Sequence, residues 1–271
     1  MKKILKLFLG DLIVFQIKDF KLRYFPSKEQ KKRINQNLKD IKKRKLFYSS
    51  FIEKNDLCFD VGANIGNRIS PLLEIGAKIV AIEPQESCYK YLKYKFGKDI
   101  EIVTKGLGES ECVKKFHISN ASTISSFSEE WINSVKEGRF KDYNWNKVIK
   151  IEMTTLDSLV EKYGLPKFIK IDVEGYELDV LKGLTKPIKI ISFEYTVPEQ
   201  INKVIECIEQ INKNDANIEC NYSIGESMVL ASPNWQSVEE MIKFIITKEF
   251  IKTGFGDVYV RIKTKDTTIN F

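Results

Sequence analysis

The chain has 271 residues, enough for one large domain or for one domain with an extension, and 43% of them are hydrophobic. Its net charge of +7 is unevenly placed, because residues 1–50 carry 15 Lys and Arg against 4 Asp and Glu (+11), which leaves 29 against 33 (−4) for the remainder. Five scattered cysteines without a C-x-x-C pair and a single histidine argue against a zinc site and favour a reducing, cytoplasmic location.

Residues 1–50 predict a basic helical extension. Ile4 to Phe25 is apolar and basic, but Gly10 and Asp11 interrupt a stretch that is too short to span a bilayer, and it lacks a small-residue cleavage site. It predicts a helix that docks on the main domain or on a second subunit, as in a homodimer. The alternative is that residues 1–25 form an interfacial helix on the inner face of an anionic membrane. The Lys- and Arg-rich run from 31 to 45 is typical of a solvated helical face, with nucleic acid or phosphate contact as the alternative.

From Asp56 onward, buried strands alternate with amphipathic helices, which predicts an α/β fold with a mostly parallel seven-stranded sheet covered by helices on both faces. We assign residues 51–271 to this domain. Helices are predicted after Gly66, Pro84, Thr155 and Gly175, at Pro198, and after a capping box at Ser237-Glu240. Strands are predicted at 57–60, 78–83, 100–103, 113–118, 148–153, 167–172, 188–193 and 256–262, the last one antiparallel.

Residues 119–147 break this alternation. The segment begins with a Ser- and Thr-rich stretch and continues with Trp131, Phe140, Tyr143 and Trp145 among polar residues. Its length predicts a lid or substrate-binding loop, whose aromatic rings could stack on a sugar. The alternative is a surface insertion with its own small hydrophobic contacts.

The most informative stretch is Asp60-Val61-Gly62-Ala63-Asn64-Ile65-Gly66, a glycine-rich turn that follows a buried strand. A second strand ends at Glu83, 21 residues after Gly62, a spacing that places a carboxylate beside the ribose of a nucleoside-containing cofactor. Asn67 stands where the dinucleotide fingerprint needs a third glycine, and Asp60 disfavours a pyrophosphate. A cationic cofactor such as S-adenosylmethionine suits this turn better. The simpler alternative is a turn that only closes a tight connection.

Four acidic residues, Asp60, Glu83, Asp172 and Glu194, end four of the predicted strands. Because the carboxyl ends of parallel strands border the ligand crevice, these acids predict a site that handles a cation and a nucleophile needing deprotonation. His117 is a secondary candidate for a general base, with a structural role as the alternative. No metal ligand set is predicted.

Four segments resemble the FkbM-type methyltransferases across roughly residues 57–195. They are Asp60 to Gly66, Ile82-Glu83-Pro84, Thr155-Leu156-Asp157, and Lys170-Ile171-Asp172-Val173-Glu174-Gly175-Tyr176-Glu177. The resemblance implies a Rossmann-like fold, S-adenosylmethionine as donor, and O-methylation, commonly of sugars in polysaccharides, glycolipids or natural products. The acceptor would be a sugar or glycan, which could be lipid-linked.

The resemblance also implies roles for individual residues. We assign Asp172 to the methionine amino group or the acceptor hydroxyl, and Glu174 to orienting or deprotonating the acceptor. A helix cap is the alternative for Glu174, and Glu194 and His117 are the next candidates for the base. The implied donor-site residues are Asp60, Gly62, Ala63, Asn64 and Gly66 for the methionine portion, Glu83 for the ribose, and Lys105, Gly106 and Leu107 near the adenine, with Ser125-Ser126 at the place of a family serine pair.

Two other functions compete with sugar O-methylation. The basic extension suggests a nucleic-acid methyltransferase, but the sequence has no N-P-P-Y-type segment and no aromatic-basic RNA-binding motif. A non-catalytic cofactor-binding protein is the other alternative, and the set of acidic residues at the strand ends argues against it.

Overall fold

The computed structural model describes the backbone of residues 2–263 and the side chains of residues 10–263. The last residues of the predicted domain, 264–271, and the apolar side chains before Gly10 therefore lie outside the described part. The helices are α1 (Lys2–Tyr24), α2 (Lys28–Tyr48), α3 (Ile69–Ile75), α4 (Glu86–Phe96), α5 (Glu129–Val135), α6 (Leu156–Tyr163), α7 (Glu177–Lys182), α8 (Ile201–Asn214), α9 (Val238–Ile245) and α10 (Lys248–Ile251). The strands are β1 (Leu57–Val61), β2 (Lys78–Ile82), β3 (Glu101–Val103), β4 (Gly106–Leu107), β5 (Val113–Ile118), β6 (Lys147–Thr154), β7 (Phe168–Ile171), β8 (Ile190–Thr196), β9 (Ile218–Ile224) and β10 (Phe255–Ile262).

The main sheet has seven strands in the order β3-β2-β1-β7-β8-β10-β9. The first five are parallel to one another, and β10 is antiparallel to both of its neighbours. The predicted Rossmann-like α/β fold is confirmed, including its antiparallel last strand. This order brings the carboxyl ends of β1, β2, β7 and β8 to one edge of the sheet.

Two predicted strands lie outside the main sheet. β5 and β6 pair with each other antiparallel, and β4 joins β6 to form a separate three-stranded sheet.

The seventh place in the main sheet belongs to β9, which we did not predict. Its sequence interrupts the apolar pattern with Asn221 and Ser223, both fully buried. The Asn221 amide donates to the carbonyl of Ser232 at 2.9 Å, so that a local loop provides the partner this polar residue needs. Helix α8 begins at Ile201, three residues later than the position predicted from Pro198.

Alternate residues of the strands face two hydrophobic clusters, one on each side of the sheet. In β2, for example, Val80 and Ile82 belong to one cluster and Ile79 and Ala81 to the other. Phe47 and Tyr48 at the end of α2 are buried in the second cluster, so that the last turn of the predicted extension belongs to the core.

Helix α1 docks on α4, in agreement with the favoured interpretation of the extension. The ring of Phe15 packs on those of Tyr91 and Tyr94, with centroid distances of 5.4 and 5.5 Å. The Asp11 carboxylate lies 3.0 Å from the Lys90 ammonium. Among the described residues, no helix combines the length and the apolar character needed to cross a membrane.

The 119–147 segment forms a small cluster of its own. Trp131 is almost completely buried and packs at ring-centroid distances of 5.8 Å from Phe140 and 6.3 Å from Trp145. The Trp145 indole donates to the carbonyl of Ile124 at 2.6 Å. These aromatic rings pack on one another within the segment. The polar start of the segment, from Ser122 onward, instead borders the cavity described next.

Candidate active site

A cavity lies at the carboxyl ends of β1, β2, β7 and β8. The structure brings most of the predicted site residues together there. Those that line the cavity are Asp60, Gly62, Ala63, Asn64, Glu83, Gly106, Leu107, Asp172, Glu174 and Glu194.

Three predicted site residues do not line the cavity. Gly66 closes the glycine turn, where its N–H donates to the carbonyl of Ala63 at 2.8 Å. Lys105 points to Glu152, with 3.4 Å between the Nζ and carboxylate oxygen atoms. His117 lies with its Nε2 3.2 Å from Glu129. A base at His117 would therefore require this side chain to leave its present place.

The glycine turn holds Glu83 by its backbone. Asn64 adopts a left-handed conformation (φ 47°), and its N–H donates to Glu83 Oε2 at 2.8 Å. The N–H of Gln85 donates to Oε1 of the same carboxylate at 2.7 Å. Burial raises the pKa of Glu83 to about 7, against the effect of these two hydrogen bonds. The carboxylate is thus fixed in position at the end of β2, where the sequence predicts a ribose contact.

A second tight turn presents Glu174. This residue has a φ of 55°, which is uncommon for a residue other than glycine and indicates a constrained backbone. Glu177, the first residue of α7, accepts the N–H groups of Val173 and Gly175 at 3.0 and 3.2 Å. The carboxylate that satisfies this turn is therefore that of Glu177, and Glu174 does not cap the helix. Its side chain is left facing the cavity.

The turn at Glu174 is also fastened to the 119–147 segment. The hydroxyl of Ser126 donates to the carbonyl of Glu174 at 2.7 Å and accepts the N–H of Ser128 at 2.9 Å. Gly175 packs so closely on Trp131 that a Cβ there would lie 2.3 Å from the indole ring. The neighbouring Ser125 accepts the N–H of Ser119 at 3.1 Å and lines the cavity.

Asp172, Glu174 and Glu194 form a cluster in which carboxylate oxygens lie within 4.8 Å of one another. Burial and the nearby Asp172 charge raise the pKa values of Glu174 and Glu194 well above the ordinary value of a glutamate. A cluster of this kind can hold a cation or accept a proton from a bound hydroxyl group.

Lys170 lies beneath this cluster and is almost completely buried. Its ammonium is 2.7 Å from Asp257 and 3.4 Å from Asp172. Burial alone would lower the pKa of Lys170, but these carboxylates outweigh it and raise the pKa. The ammonium therefore remains charged and offsets part of the negative charge above it.

The described residues that line the cavity carry six carboxyl groups and one guanidinium, that of Arg68. Arg68 pairs with Glu226 through two hydrogen bonds of 2.7 and 3.0 Å. Two buried atoms of the lining have no partner among the described residues: Oδ2 of Asp60 and Nε of Arg68. The lining thus offers one buried acceptor and one buried donor without a partner, in a surface rich in carboxyl groups.

Several of these residues were not predicted from the sequence. Glu177 ends the segment Lys170 to Glu177 that resembles the family. The sequence does not predict its hydrogen bonds with the backbone of Val173 and Gly175. Arg68 follows the glycine turn within two residues, but its partner Glu226 is 158 residues away. The rings of Phe116, Phe127 and Tyr176 form an apolar wall of the cavity. No local sequence pattern predicts that these three rings meet. Contacts of this range follow from the fold and have no pattern in the sequence.

Comparison with known proteins agrees with this geometry. The model of the methyltransferase FkbM domain matches residues 60–248. The hexuronic acid methyltransferase AglP of Haloferax volcanii is 29% identical over 143 residues, which are 52% of this chain and 55% of that protein. The chain thus matches about half the length of this curated relative.

Solved structures with a similar course of the chain include two methyltransferases. The precorrin-6Y C5,15-methyltransferase of Geobacter metallireducens is 10% identical, with a TM-score of 0.41, over 82% of this chain and 87% of that one. A TehB-like S-adenosylmethionine-dependent methyltransferase of Corynebacterium glutamicum is 8% identical, with a TM-score of 0.43, over 88% of this chain and all of that one.

Proposed function

The chain belongs to the FkbM methyltransferase family, and we propose that it transfers a methyl group from S-adenosylmethionine to a hydroxyl oxygen of a sugar or glycan. The observation that carries the proposal is the acidic lining of the cavity, where six carboxyl groups face one guanidinium among the described lining residues, and a bound cation would favour the ionised form of these groups. A surface of this sign attracts a cation and repels a phosphate. It suits a donor whose reactive centre is a sulfonium.

The unpartnered atoms of the lining fit the amino acid portion of this donor. Asp60 Oδ2 lacks a hydrogen-bond donor, and Arg68 Nε lacks an acceptor. Buried polar atoms are nearly always satisfied, and an amino acid zwitterion offers an ammonium for the first and a carboxylate for the second. Glu83 would accept the ribose hydroxyl groups, since each of its oxygens has capacity for another hydrogen bond.

The acceptor side of the reaction requires one proton transfer. S-adenosylmethionine supplies an electrophilic methyl group bound to a positively charged sulfur. When bound, the donor would deliver this methyl group to the acceptor oxygen, and its sulfur would keep the electrons of the C–S bond. Glu174 takes the hydroxyl proton, and Glu194 and Asp172 stabilise the positive charge of the donor before transfer. Raised pKa values make Glu174 and Glu194 better bases than an exposed glutamate.

A sugar acceptor is favoured by the relative from Haloferax volcanii, which is named for its action on a hexuronic acid. The acceptor would enter beside Ser122, Thr123 and Ser125, whose hydroxyl groups border the cavity. Polar side chains next to the apolar ring of Phe127 suit the mixed surface of a sugar.

The experiment is an assay of S-adenosylhomocysteine formation by the full chain with uronic acids, nucleotide sugars and RNA as acceptors. Donor affinity is measured in parallel by calorimetric titration of the wild type, Glu83→Gln and the matched control Glu109→Gln, an exposed glutamate outside the cavity. We expect turnover with a sugar and weaker donor binding only for Glu83→Gln. Turnover with RNA alone would establish the nucleic-acid alternative, and donor binding without turnover on any acceptor would favour the non-catalytic one.

A further inference from the structure

The end of α1 and the turn that follows it carry three exposed aromatic side chains. Phe20, Tyr24 and Phe25 are 56%, 58% and 75% exposed. The ring centroid of Phe20 lies 4.8 Å from that of Tyr24 and 6.3 Å from that of Phe25. We call these three residues the aromatic tip. Contiguous exposed apolar surface of this kind marks an interaction site more often than scattered single residues do.

Exposed basic residues flank the aromatic tip along the sequence. Residues 18–33 contain seven Lys and Arg against Asp19 and Glu29, a net charge of +5. The exposed basic residues are Lys18, Lys21, Arg23, Lys28, Lys31, Lys32 and Arg33. The partner of this surface must therefore tolerate apolar rings in its interior and carry negative charge at its surface.

Both helices are held to the domain at points away from the aromatic tip. In α1, Phe15 packs on Tyr91 and Tyr94 of α4. In α2, Phe47 and Tyr48 are buried in the core. The exposure of the aromatic tip is thus compatible with a docked extension.

We propose that the aromatic tip binds the surface of an anionic lipid bilayer. Apolar side chains enter the boundary of the acyl chains, while the flanking lysines and arginines contact negative headgroups. Leu12 and Leu22 of the same helix are also exposed, and their aliphatic side chains cannot stack on a base, which favours lipid over single-stranded nucleic acid. A second copy of the chain would bring two like-charged tips together. The proposal does not depend on the methyl-transfer reaction, although it would place the cavity near a lipid-linked glycan.

The experiment is flotation of the full chain with vesicles of phosphatidylcholine, with and without phosphatidylglycerol. The test variant is Phe20→Ser/Tyr24→Ser/Phe25→Ser. The matched control replaces three equally exposed apolar residues elsewhere, in Leu165→Ser/Val229→Ser/Ile246→Ser. A second variant, Lys28→Glu/Lys31→Glu/Lys32→Glu, tests the charges. Because all replaced side chains are exposed, each variant should keep its circular dichroism and its unfolding transition.

We expect the wild type and the control to float with anionic vesicles and not with neutral ones. Each tip variant should bind at least roughly tenfold more weakly, because the serine variant loses the apolar contact with the acyl chains and the glutamate variant repels the anionic headgroups. High salt should release the wild type. Equal flotation of wild type and both tip variants would overturn the proposal. So would a dimer of the wild type that the serine variant dissociates, or RNA binding lost in that variant when vesicles are not bound at all.

Discussion

The backbone of Gly62 lies directly against the carbonyl oxygen of Asp172, so that a Cβ at position 62 would be 1.8 Å from that oxygen. The N–H of Asp172 in turn donates to the carbonyl of Val61 at 2.9 Å. The turn expected to hold the donor and the acid expected to face the methyl group are therefore parts of one rigid unit. A displacement of one must move the other.

This contact predicts a large effect of Gly62→Ala. The residue has a φ of 83°, and the nearest obstacle is backbone, which cannot rotate away. Gly97→Ala is the matched control, since Gly97 also has a positive φ (56°) but no atom within 4 Å of its added Cβ. Backbone strain alone costs roughly 1–3 kcal/mol. We expect Gly62→Ala to lose more free energy of unfolding than Gly97→Ala, in urea titrations, and to lose donor binding. Equal losses would show that the contact is not rigid.

A second prediction concerns the pH dependence of stability without ligand. Because burial raises the pKa of Glu83 to about 7 from an ordinary 4.5, folding favours its protonated form. The contribution of Glu83 to the free energy of unfolding is complete below about pH 4.5. It is lost as the pH rises through 7, a difference of roughly 3 kcal/mol. Asp60, whose pKa burial raises to about 6, has the same sign.

The measurement is the free energy of unfolding of the wild type and Glu83→Gln between pH 5 and pH 8. We expect it to fall with rising pH in the wild type and to fall less in the variant. Glu226 has the opposite sign: burial would raise its pKa, but Arg68 and Arg44 lower it to about 2, so that its contribution is lost only below about pH 4.5. A wild-type stability that rises from pH 5 to pH 8 would contradict the buried state of Glu83.

The third prediction distinguishes the roles of Glu174, Glu177 and Glu194. If Glu174 is the base, Glu174→Gln should lower the single-turnover rate by roughly 10²–10⁴-fold at nearly unchanged donor affinity. Glu177→Gln is the control, because an amide oxygen can still accept the N–H groups of Val173 and Gly175. A loss in Glu194→Gln with little change in Glu174→Gln would transfer the role to Glu194.

The parts of the site that the sequence predicted have local signals. Asp60, Glu83 and Asp172 each end an apolar run, and parallel strands place such ends at one edge of the sheet. Gly62 and Gly66 stand at fixed spacing from Asp60. These residues were found because their positions depend on short stretches and on one rule of topology.

The remaining features depend on distant contacts. β9 was not predicted because Asn221 is buried and satisfied by a loop that the strand itself does not specify. His117 was a candidate for its chemistry, but the pairing of β5 with β6 determines where its side chain lies. Lys170 belongs to the segment Lys170 to Glu177 that resembles the family. Its buried charge, however, is stabilised by Asp257, which is 87 residues away in the sequence.

The fourth prediction concerns this buried pair. Lys170→Met should leave the buried Asp257 carboxylate without its cation, at a cost of roughly 3–5 kcal/mol in the free energy of unfolding. Lys167→Met is the control, since Lys167 is partly exposed and 4.0 Å from Asp56, a pair worth about 1 kcal/mol or less. Lys170→Met/Asp257→Leu should recover part of the loss. A single variant as stable as the control would mean that water reaches Asp257.

The last prediction concerns Ser126, which we regard as a positioning residue because its hydroxyl forms hydrogen bonds with the backbone of Glu174 and Ser128. Ser126→Ala removes a hydrogen bond that helps to hold Glu174 at its positive φ. We expect a stability loss of roughly 0.5–1.5 kcal/mol. We also expect a rate loss of about tenfold, which corresponds to 1.4 kcal/mol, at unchanged donor affinity. Ser134→Ala is the control, since Ser134 donates in the same way to the carbonyl of Trp131, at 2.8 Å.

A double variant decides whether Ser126 acts through Glu174. If it does, Ser126→Ala should slow the single-turnover rate in the wild type but add little in the Glu174→Gln background, because the group that it positions is already gone. The pH at which the rate reaches half its maximum should also move in Ser126→Ala and stay in place in Ser134→Ala. If the two losses multiply fully, Ser126 acts on the site by another route, and the cavity-lining Ser125 beside it becomes the residue to test.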